Sequence, residues 1–179
     1  MKTTTIAIAF LFMMFSTNLS AKSNYQMAER HGGALNLGLG IGGYSGYYGN
    51  VGLSLPIMNV NYELGIVQNF TLAPFLTLYS YSDGNYRSIV TPIGLKGTLY
   101  LDQLLHAGSR WDFYTAGSLG LALVNTSWDS NYSGSRNYYK TTNPLYLDFH
   151  LGTEFHLSNN VGLFLDLSTG VSTIGIAFH

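Results

Sequence analysis

The side chains best suited to chemistry stand late in the chain, at alternate positions of one segment. They are Asp148, His150, Glu154 and His156. Carboxylates and imidazoles can carry protons or bind metals. In an extended segment, side chains two positions apart share a face but lie about 6–7 Å apart. A zinc ion needs each nitrogen or oxygen ligand atom about 2.0–2.2 Å from the metal. One strand alone therefore cannot build a metal site, and we predict no metal and no cofactor here.

The composition limits the kind of protein that could hold these residues. Only 9% of the 179 residues are charged, against about 25% in ordinary soluble domains, yet a mean hydropathy of +0.14 is too low for a bundle of membrane helices. The net charge of −1 offers no basic field for nucleic acid. The absence of cysteine excludes disulfides, a cysteine-ligated zinc and an acylated cysteine anchor.

The first 21 residues have the pattern of a secretory signal peptide. Lys2 supplies the positive start, residues 6–15 form an apolar run of ten, and small residues lead to Ala21. An apolar run of this length is too short to cross a bilayer, which takes about 20 helical residues. We predict a cleaved signal peptide over 1–21, a short periplasmic segment over 22–31 and a single domain over 32–179.

Alternation of apolar and polar side chains predicts that this domain is built from β-strands. Leu147, Phe149 and Leu151 fall on one face of their segment, and the four residues named above fall on the other. The same pattern recurs along the chain. It predicts eight strands, over residues 32–43, 51–67, 70–82, 86–101, 111–124, 144–157, 160–170 and 173–179.

The charged residues all fall on the polar face of these strands. They are Glu63, Lys96, Asp112, Asp148, Glu154 and Asp166, with His150 and His156 in phase. A soluble barrel turns its apolar face inward, and a membrane barrel turns it toward lipid. Here the polar face is made mainly of small uncharged residues, whereas a water-facing surface is about 25–35% charged, and tyrosine and tryptophan gather near the strand ends. Because only helices and closed barrels satisfy the backbone in hydrocarbon, we predict an all-β, eight-stranded antiparallel up-and-down transmembrane barrel with both termini in the periplasm.

The lumen of such a barrel is just wide enough for side chains. One lysine, Lys96, then faces five acids, and this excess predicts protonated carboxyls, a neighbouring Arg87 or Arg110, or trapped water. We expect the polar residues to plug the lumen; a path for protons or cations is the alternative.

Three prolines fall inside the predicted strands, although proline cannot donate to a β-ladder. Pro56 and Pro92 are expected at bulges or near a rim, and Pro74 falls close to mid-strand, where the alternation offers no place for it.

Several glycine- and aromatic-rich stretches resemble the small outer-membrane β-barrel domain of Gram-negative bacteria. They are LPIMNVNYELGIVQNFTLAPF (55–75), TPIGLKGTLYL (91–101), RWDFYTAGSLGLAL (110–123) and residues 154–179. The resemblance implies a porin-like barrel that is inserted by the outer-membrane assembly machinery and contacts outer-membrane lipid and lipopolysaccharide. It implies no catalytic residue. Such barrels usually end on an aromatic residue, and here His179 follows Phe178.

One short motif offers an enzymatic alternative. His156-Leu157-Ser158-Asn159 resembles the His-x-Ser-Asn motif of outer-membrane lipid A deacylases, in which His156 would serve Ser158. No acid stands at a clearly matching later position, and Ser-Asn-Asn is ordinary turn chemistry. We therefore expect no enzyme.

The segment 125–143 mixes aromatic with small polar residues, a composition suited to adaptable recognition. Its surface-loop candidates are Trp128, Tyr132, Tyr138 and Tyr139. We expect a monomeric cell-surface protein of the outer membrane, with a structural role or an interaction role through its loops and an extracellular ligand that the sequence does not name. A soluble ligand-binding barrel, with the opposite facing, is the remaining alternative.

Overall fold

β-Strands make up most of the part of the chain that the structure describes. A computed structural model describes residues 33–42, 54–83, 85–108, 110–130, 133 and 144–179. The predicted signal peptide (1–21), the segment 22–31, and Tyr132, Tyr138 and Tyr139 lie outside these residues. The elements are β1 (Leu35–Gly42), β2 (Ser54–Tyr62), β3 (Leu64–Val67), β4 (Phe70–Asp83), β5 (Tyr86–Tyr100), α1 (Asp102–Leu105), β6 (Trp111–Trp128), β7 (Leu145–Ser158), β8 (Val161–Ser168) and β9 (Val171–Phe178).

The strands form a closed antiparallel barrel. Each strand pairs with the next along the chain, and β9 pairs with β1 to close the sheet. β2 and β3 are two parts of one barrel strand, because Asn61 pairs with Phe75 and Leu64 with Leu72 of β4 in one unbroken register. The predicted eight-stranded up-and-down barrel is therefore confirmed.

The interruption between β2 and β3 explains Pro74. The register places Pro74 opposite Tyr62, immediately before the break at Glu63. Pro74 has no N–H to offer across this ladder, and the Glu63 backbone instead exchanges hydrogen bonds with Gly33 and Ala34 at 2.7 and 2.8 Å. The mid-strand proline therefore coincides with the interruption of this barrel strand.

The other two strand prolines also lie at irregularities. The β1–β2 register shifts beside Pro56, between the pairs Gly40–Ile57 and Gly42–Ser54. The β4–β5 pairing is interrupted next to Pro92, whose side chain is fully buried. Pro56 therefore lies at a bulge, as one form of the expectation had it, whereas Pro92 lies at a gap in the pairing that leaves the register unchanged.

The faces of the barrel are opposite to those of a soluble protein. On β7, Phe149 and Leu151 are 70% and 62% exposed, whereas Asp148 on the same strand is 1% exposed. The alternation continues on β5 and β6, where Leu95 and Leu119 are exposed and Lys96 and Ser118 are buried. The barrel therefore presents leucines outward and encloses its polar side chains.

No helix within the described ranges is long and apolar enough to span a membrane.

The structure corrects two predicted boundaries and adds one helical turn. β6 continues to Trp128, four residues beyond the predicted end at 124, because it stays paired with β5 as far as Tyr86. The last hairpin turns at 169–170 rather than at 171–172. The predicted turn over 102–110 begins with the helical turn α1, in which Asp102 accepts a hydrogen bond from the Phe113 N–H at 2.6 Å.

Candidate functional site: polar clusters in the barrel lumen

Among the described residues, four hydrogen-bonded clusters form around the charged side chains of the barrel interior, and the first lies near its middle. The Lys96 ammonium group of β5 lies 2.5 Å from Asp166 of β8, across the lumen. Asp166 also contacts His150 Nδ1 at 2.7 Å and accepts a hydrogen bond from the Tyr114 hydroxyl at 3.1 Å. The ring of Tyr114 lies below the Lys96 ammonium group, 5.1 Å from its centroid. This central cluster joins four barrel strands, β5 to β8, through side chains.

The central cluster contains a Ser–His–Asp chain that the sequence did not reveal. Ser118 Oγ lies 2.8 Å from His150 Nε2, and the other ring nitrogen faces Asp166. These residue types in this order resemble a hydrolase triad. However, the adjoining cavity measures about 20 Å³, which is room for about one water molecule. An acyl substrate cannot enter this space. The hydrogen bonds of Ser118, His150 and Asp166 therefore connect strands β6, β7 and β8.

The second cluster satisfies Asp148, near the turn at 169–170. Its carboxylate accepts hydrogen bonds from the hydroxyls of Tyr146, Ser168 and Thr169 at 2.6 to 3.0 Å and from the Gly170 N–H at 2.9 Å. These four donors satisfy the buried carboxylate by hydrogen bonding.

The third cluster surrounds Glu63, at the break between β2 and β3. Its two oxygens accept hydrogen bonds from Asn36 at 2.9 Å, Thr71 at 2.6 Å and Tyr100 at 2.7 Å. These partners lie on β1, β4 and β5, so one carboxylate connects strands on both sides of its own.

The fourth cluster lies at the end of the barrel near α1, and we call it the rim cluster. It consists of Asp112, Glu154, His156 and His179. His156 Nε2 lies 2.8 Å from Asp112, and His179 Nε2 lies 2.7 Å from Glu154. The hydrogen bond to the Glu154 carboxylate raises the pKa of His179 above its ordinary value of 6.5. The histidine side chains are 23% and 26% exposed, so the rim cluster is open to solvent.

The seven residues predicted for the lumen all lie on inward faces. They are Glu63, Lys96, Asp112, Asp148, His150, Glu154 and Asp166. The expected arginine partners are wrong, because Arg87 and Arg110 are exposed. Histidines, hydroxyl groups and backbone N–H groups take their place, as described above.

The proposed His156–Ser158 pair is not assembled. His156 is directed to Asp112, whereas Ser158 is exposed and its hydroxyl oxygen accepts a hydrogen bond from the Asn160 N–H at 3.3 Å. The β7–β8 register shifts between the two residues. Trp128, predicted for a surface loop, instead ends β6 with its ring 5.2 Å from that of Tyr86.

His179 is the site residue that the sequence analysis placed least well. In the sequence, His179 stands out only because it follows Phe178, the type of aromatic residue on which such barrels usually end. The missed signal was its phase, because His179 continues the inward series Thr173, Gly175 and Ala177 of β9. Strand periodicity therefore predicts that its side chain turns toward the lumen.

Comparisons with known proteins give matches in structure but not in sequence. No protein-family profile matches the chain, and no curated protein sequence matches it. Neisserial surface protein A (NspA) has a similar structure, with a TM-score of 0.53, 16% identity, and coverage of 81% of this chain and 94% of NspA. The outer-membrane protein Ail of Yersinia pestis gives a TM-score of 0.44 at 8% identity, over 81% of this chain and 94% of Ail. A de novo designed transmembrane β-barrel gives 0.46 at 11% identity, over 84% and 98%.

The similarity to NspA, together with the closed antiparallel sheet, shows that this chain has the fold of a small eight-stranded outer-membrane β-barrel.

Proposed function

We propose that the protein is an integral barrel of the bacterial outer membrane, closed by polar side chains in its lumen, with a structural or surface-interaction role and no enzymatic activity. The observation that carries the proposal is the facing of the strands. Outward positions hold large apolar residues such as Leu95, Leu119 and Phe149, and among the described residues every buried charge except Asp102 of α1 lies inside the barrel. This arrangement suits a lipid surround and is unfavourable in water, where exposed apolar area of this extent leads to association.

The facing argues against the soluble ligand-binding barrel. A soluble barrel would enclose the leucines, and it would expose Asp148 and Lys96. Membrane fractionation and heat-modifiable gel mobility test the choice. We expect the protein in the outer-membrane fraction, with a folded band that shifts on boiling; a soluble periplasmic protein would refute the proposal.

The lumen is expected not to conduct ions. The central cluster bridges the barrel from Lys96 to Asp166, and the adjoining cavity has room for about one water molecule. Planar-bilayer recording of the purified protein should therefore give no sustained open-state current. Steady single-channel openings would refute the polar plug and favour the ion-path alternative.

We assign the α1 end of the barrel to the periplasm and the opposite end to the cell surface. β1 begins and β9 ends at the α1 end of the barrel. The longest connection, between β6 and β7, lies at the opposite end. Outer-membrane barrels have short periplasmic turns and longer outer loops. Outer-membrane lipid, lipopolysaccharide and the assembly machinery are the partners that this placement requires, and the barrel is expected to be monomeric.

The interaction role would belong to the connection after β6. Because β6 extends to Trp128 whereas β7 begins opposite Leu121, residues 131–143 are replaced by a Gly/Ser segment of equal length, which leaves the connection long enough to keep the strand intact. We expect this variant to keep its heat-modifiable band and to lose binding of a host, phage or matrix partner in a whole-cell assay. Unchanged binding would remove the loop from the proposal and leave a structural role.

The lipid A deacylase alternative is tested by the Ser158→Ala variant. Because His156 contacts Asp112 rather than Ser158, we expect the mass spectrum of lipid A to be the same with wild type, variant or no protein. A change in acylation with wild type that is lost in the variant would establish the enzyme.

A further inference from the structure

The rim cluster brings together side chains that no single strand could assemble. Glu154 and His156 come from β7, and His179 follows β9, with β8 between them. Glu154 Oε1 lies 2.7 Å from His179 Nε2 and 3.8 Å from His156 Nδ1. One ligand atom from each of the three residues lies within 4.8 Å of the others.

We propose that Glu154, His156 and His179 bind one divalent transition-metal ion, of the zinc class, at the α1 end of the barrel. In a tetrahedral zinc site with nitrogen and oxygen ligands, neighbouring ligand atoms lie about 3.3 Å apart, as follows from bonds of about 2.0–2.1 Å. The observed separations are somewhat shorter and somewhat longer than this value. Small rotations of these partly exposed side chains can therefore bring the three atoms to bonding distance without a change in the strands.

Asp112 holds His156 in the orientation that metal binding needs. Its carboxylate lies 2.8 Å from His156 Nε2, so in the neutral ring Nε2 donates to Asp112, and Nδ1, on the Glu154 side, is the nitrogen available to a metal. A histidine that ligates through one nitrogen and donates the other N–H to a carboxylate is the usual supporting arrangement in metal sites.

Gly162 of β8 provides the space for the site. It pairs with His156 in the sheet, and a Cβ atom at this position would overlap the Glu154 carboxylate. Glu154 can therefore reach across β8 toward His179 only because residue 162 has no side chain.

The donor set indicates which metals suit the site. Two imidazoles and one carboxylate favour zinc, cobalt, nickel or copper, whereas calcium and magnesium prefer oxygen ligands throughout. The partial exposure of both histidines leaves an entry path from solvent and an open coordination position for water. In the barrel, such an ion would connect the segment after β9 to β7.

A cobalt titration tests the proposal on the full-length mature protein, purified from outer membranes in detergent without a histidine tag. Cobalt bound to nitrogen and oxygen ligands gives visible absorption bands, and zinc should displace it in a competition experiment. We expect one site per chain, with binding weakened at least tenfold in His179→Gln and again in His156→Gln. Asp112→Asn should weaken binding by about 10–100-fold, as expected for a supporting ligand.

Two variants serve as controls, with heat-modifiable mobility as the check that each variant is folded. His106→Asn removes an exposed histidine at the same end of the barrel and keeps a residue that tolerates its positive φ of 51°, and His31→Gln removes the histidine that precedes β1 in the sequence. Both should bind cobalt like wild type. The proposal is overturned if the folded wild type shows no stoichiometric binding, or if His179→Gln binds cobalt as tightly as wild type. If His156→Gln does not fold, His179→Gln alone decides.

Discussion

A lysine introduced at the middle of the outward leucine surface should destabilise the barrel strongly. On β5, the outward side chains from Ile89 to Leu99 are mainly apolar. This stretch rises by about 34 Å along the strand, or about 26 Å along the barrel axis at a tilt near 40°, which matches the apolar band of about 25 Å in outer-membrane barrels. Leu95 lies within about 3 Å of the midpoint of the stretch. Leu95→Lys should therefore cost about 2–4 kcal/mol of unfolding free energy.

The measurement is a urea titration of the barrel in lipid vesicles, followed by the fluorescence of Trp111 and Trp128. Leu99→Lys is the matched control, because it makes the same change about 13 Å from the midpoint, where a lysine should cost only about 0–1 kcal/mol. Leu95→Met removes the leucine without adding charge and should cost less than about 1.5 kcal/mol. A Leu95→Lys effect within about 0.5 kcal/mol of zero is typical of a water-facing position, and this result would refute the lipid-facing assignment.

Two further substitutions and one titration test the interior. Lys96→Met leaves the buried Asp166 carboxylate without its lysine partner, so the same titration should show a loss of about 3–5 kcal/mol in the free energy of unfolding. The double variant Lys96→Met/Asp166→Asn should restore part of this loss. A loss below about 1 kcal/mol would contradict the central cluster. Gly162→Ala should cost about 1–3 kcal/mol by displacing the Glu154 carboxylate, whereas Gly117→Ala, whose added Cβ meets nothing within 4 Å among the described residues, should be near neutral. In chelator, NMR titration should give His179 a pKa above 6.5. Its contact with Glu154 then stabilises the fold below about pH 6.5 and is lost as the pH rises through the folded pKa; a pKa at or below the ordinary value would count against the contact.

The strands could be predicted because each barrel strand has different surroundings on its two faces. Lipid outside and polar groups inside impose an alternation that can be read directly from Leu145 to His156. The alternation fails where the lipid ends. Asn125 and Ser127 are outward and polar, so the pattern stops at 124 although the ladder with β5 continues to Trp128. Strand ends beyond the lipid band follow hydrogen-bond pairing, which periodicity does not report.

The candidate site could be predicted only in part, because period two gives the face of a residue and not its partner. Lys96 and Asp166 are 70 positions apart and meet across the lumen. Which pairs meet depends on the register of every intervening hairpin. For the same reason the sequence showed the inward series on β7 but could not place His179 beside Glu154, and it could not show that Pro74 stands opposite an interrupted strand.

The buried charges contribute more to the choice of register than to stability itself. A buried ion pair is often no more stabilising than a well-packed apolar pair, so the contact between Lys96 and Asp166 is weak grounds for a stable barrel. A one-residue slip of β5, however, would turn every side chain to the other face. Lys96 would then enter hydrocarbon at a cost of about 2–4 kcal/mol, and Leu95 would enter the lumen beside Asp166 without satisfying that carboxylate. The neighbouring strands β6, β7 and β8 carry their own inward polar groups at Tyr114, His150 and Asp166. A slip of any of these strands would likewise turn a polar group toward hydrocarbon. The central cluster therefore forms only when all four strands are in register. The polar lumen thus specifies one closed barrel among the many that the leucine pattern alone would permit.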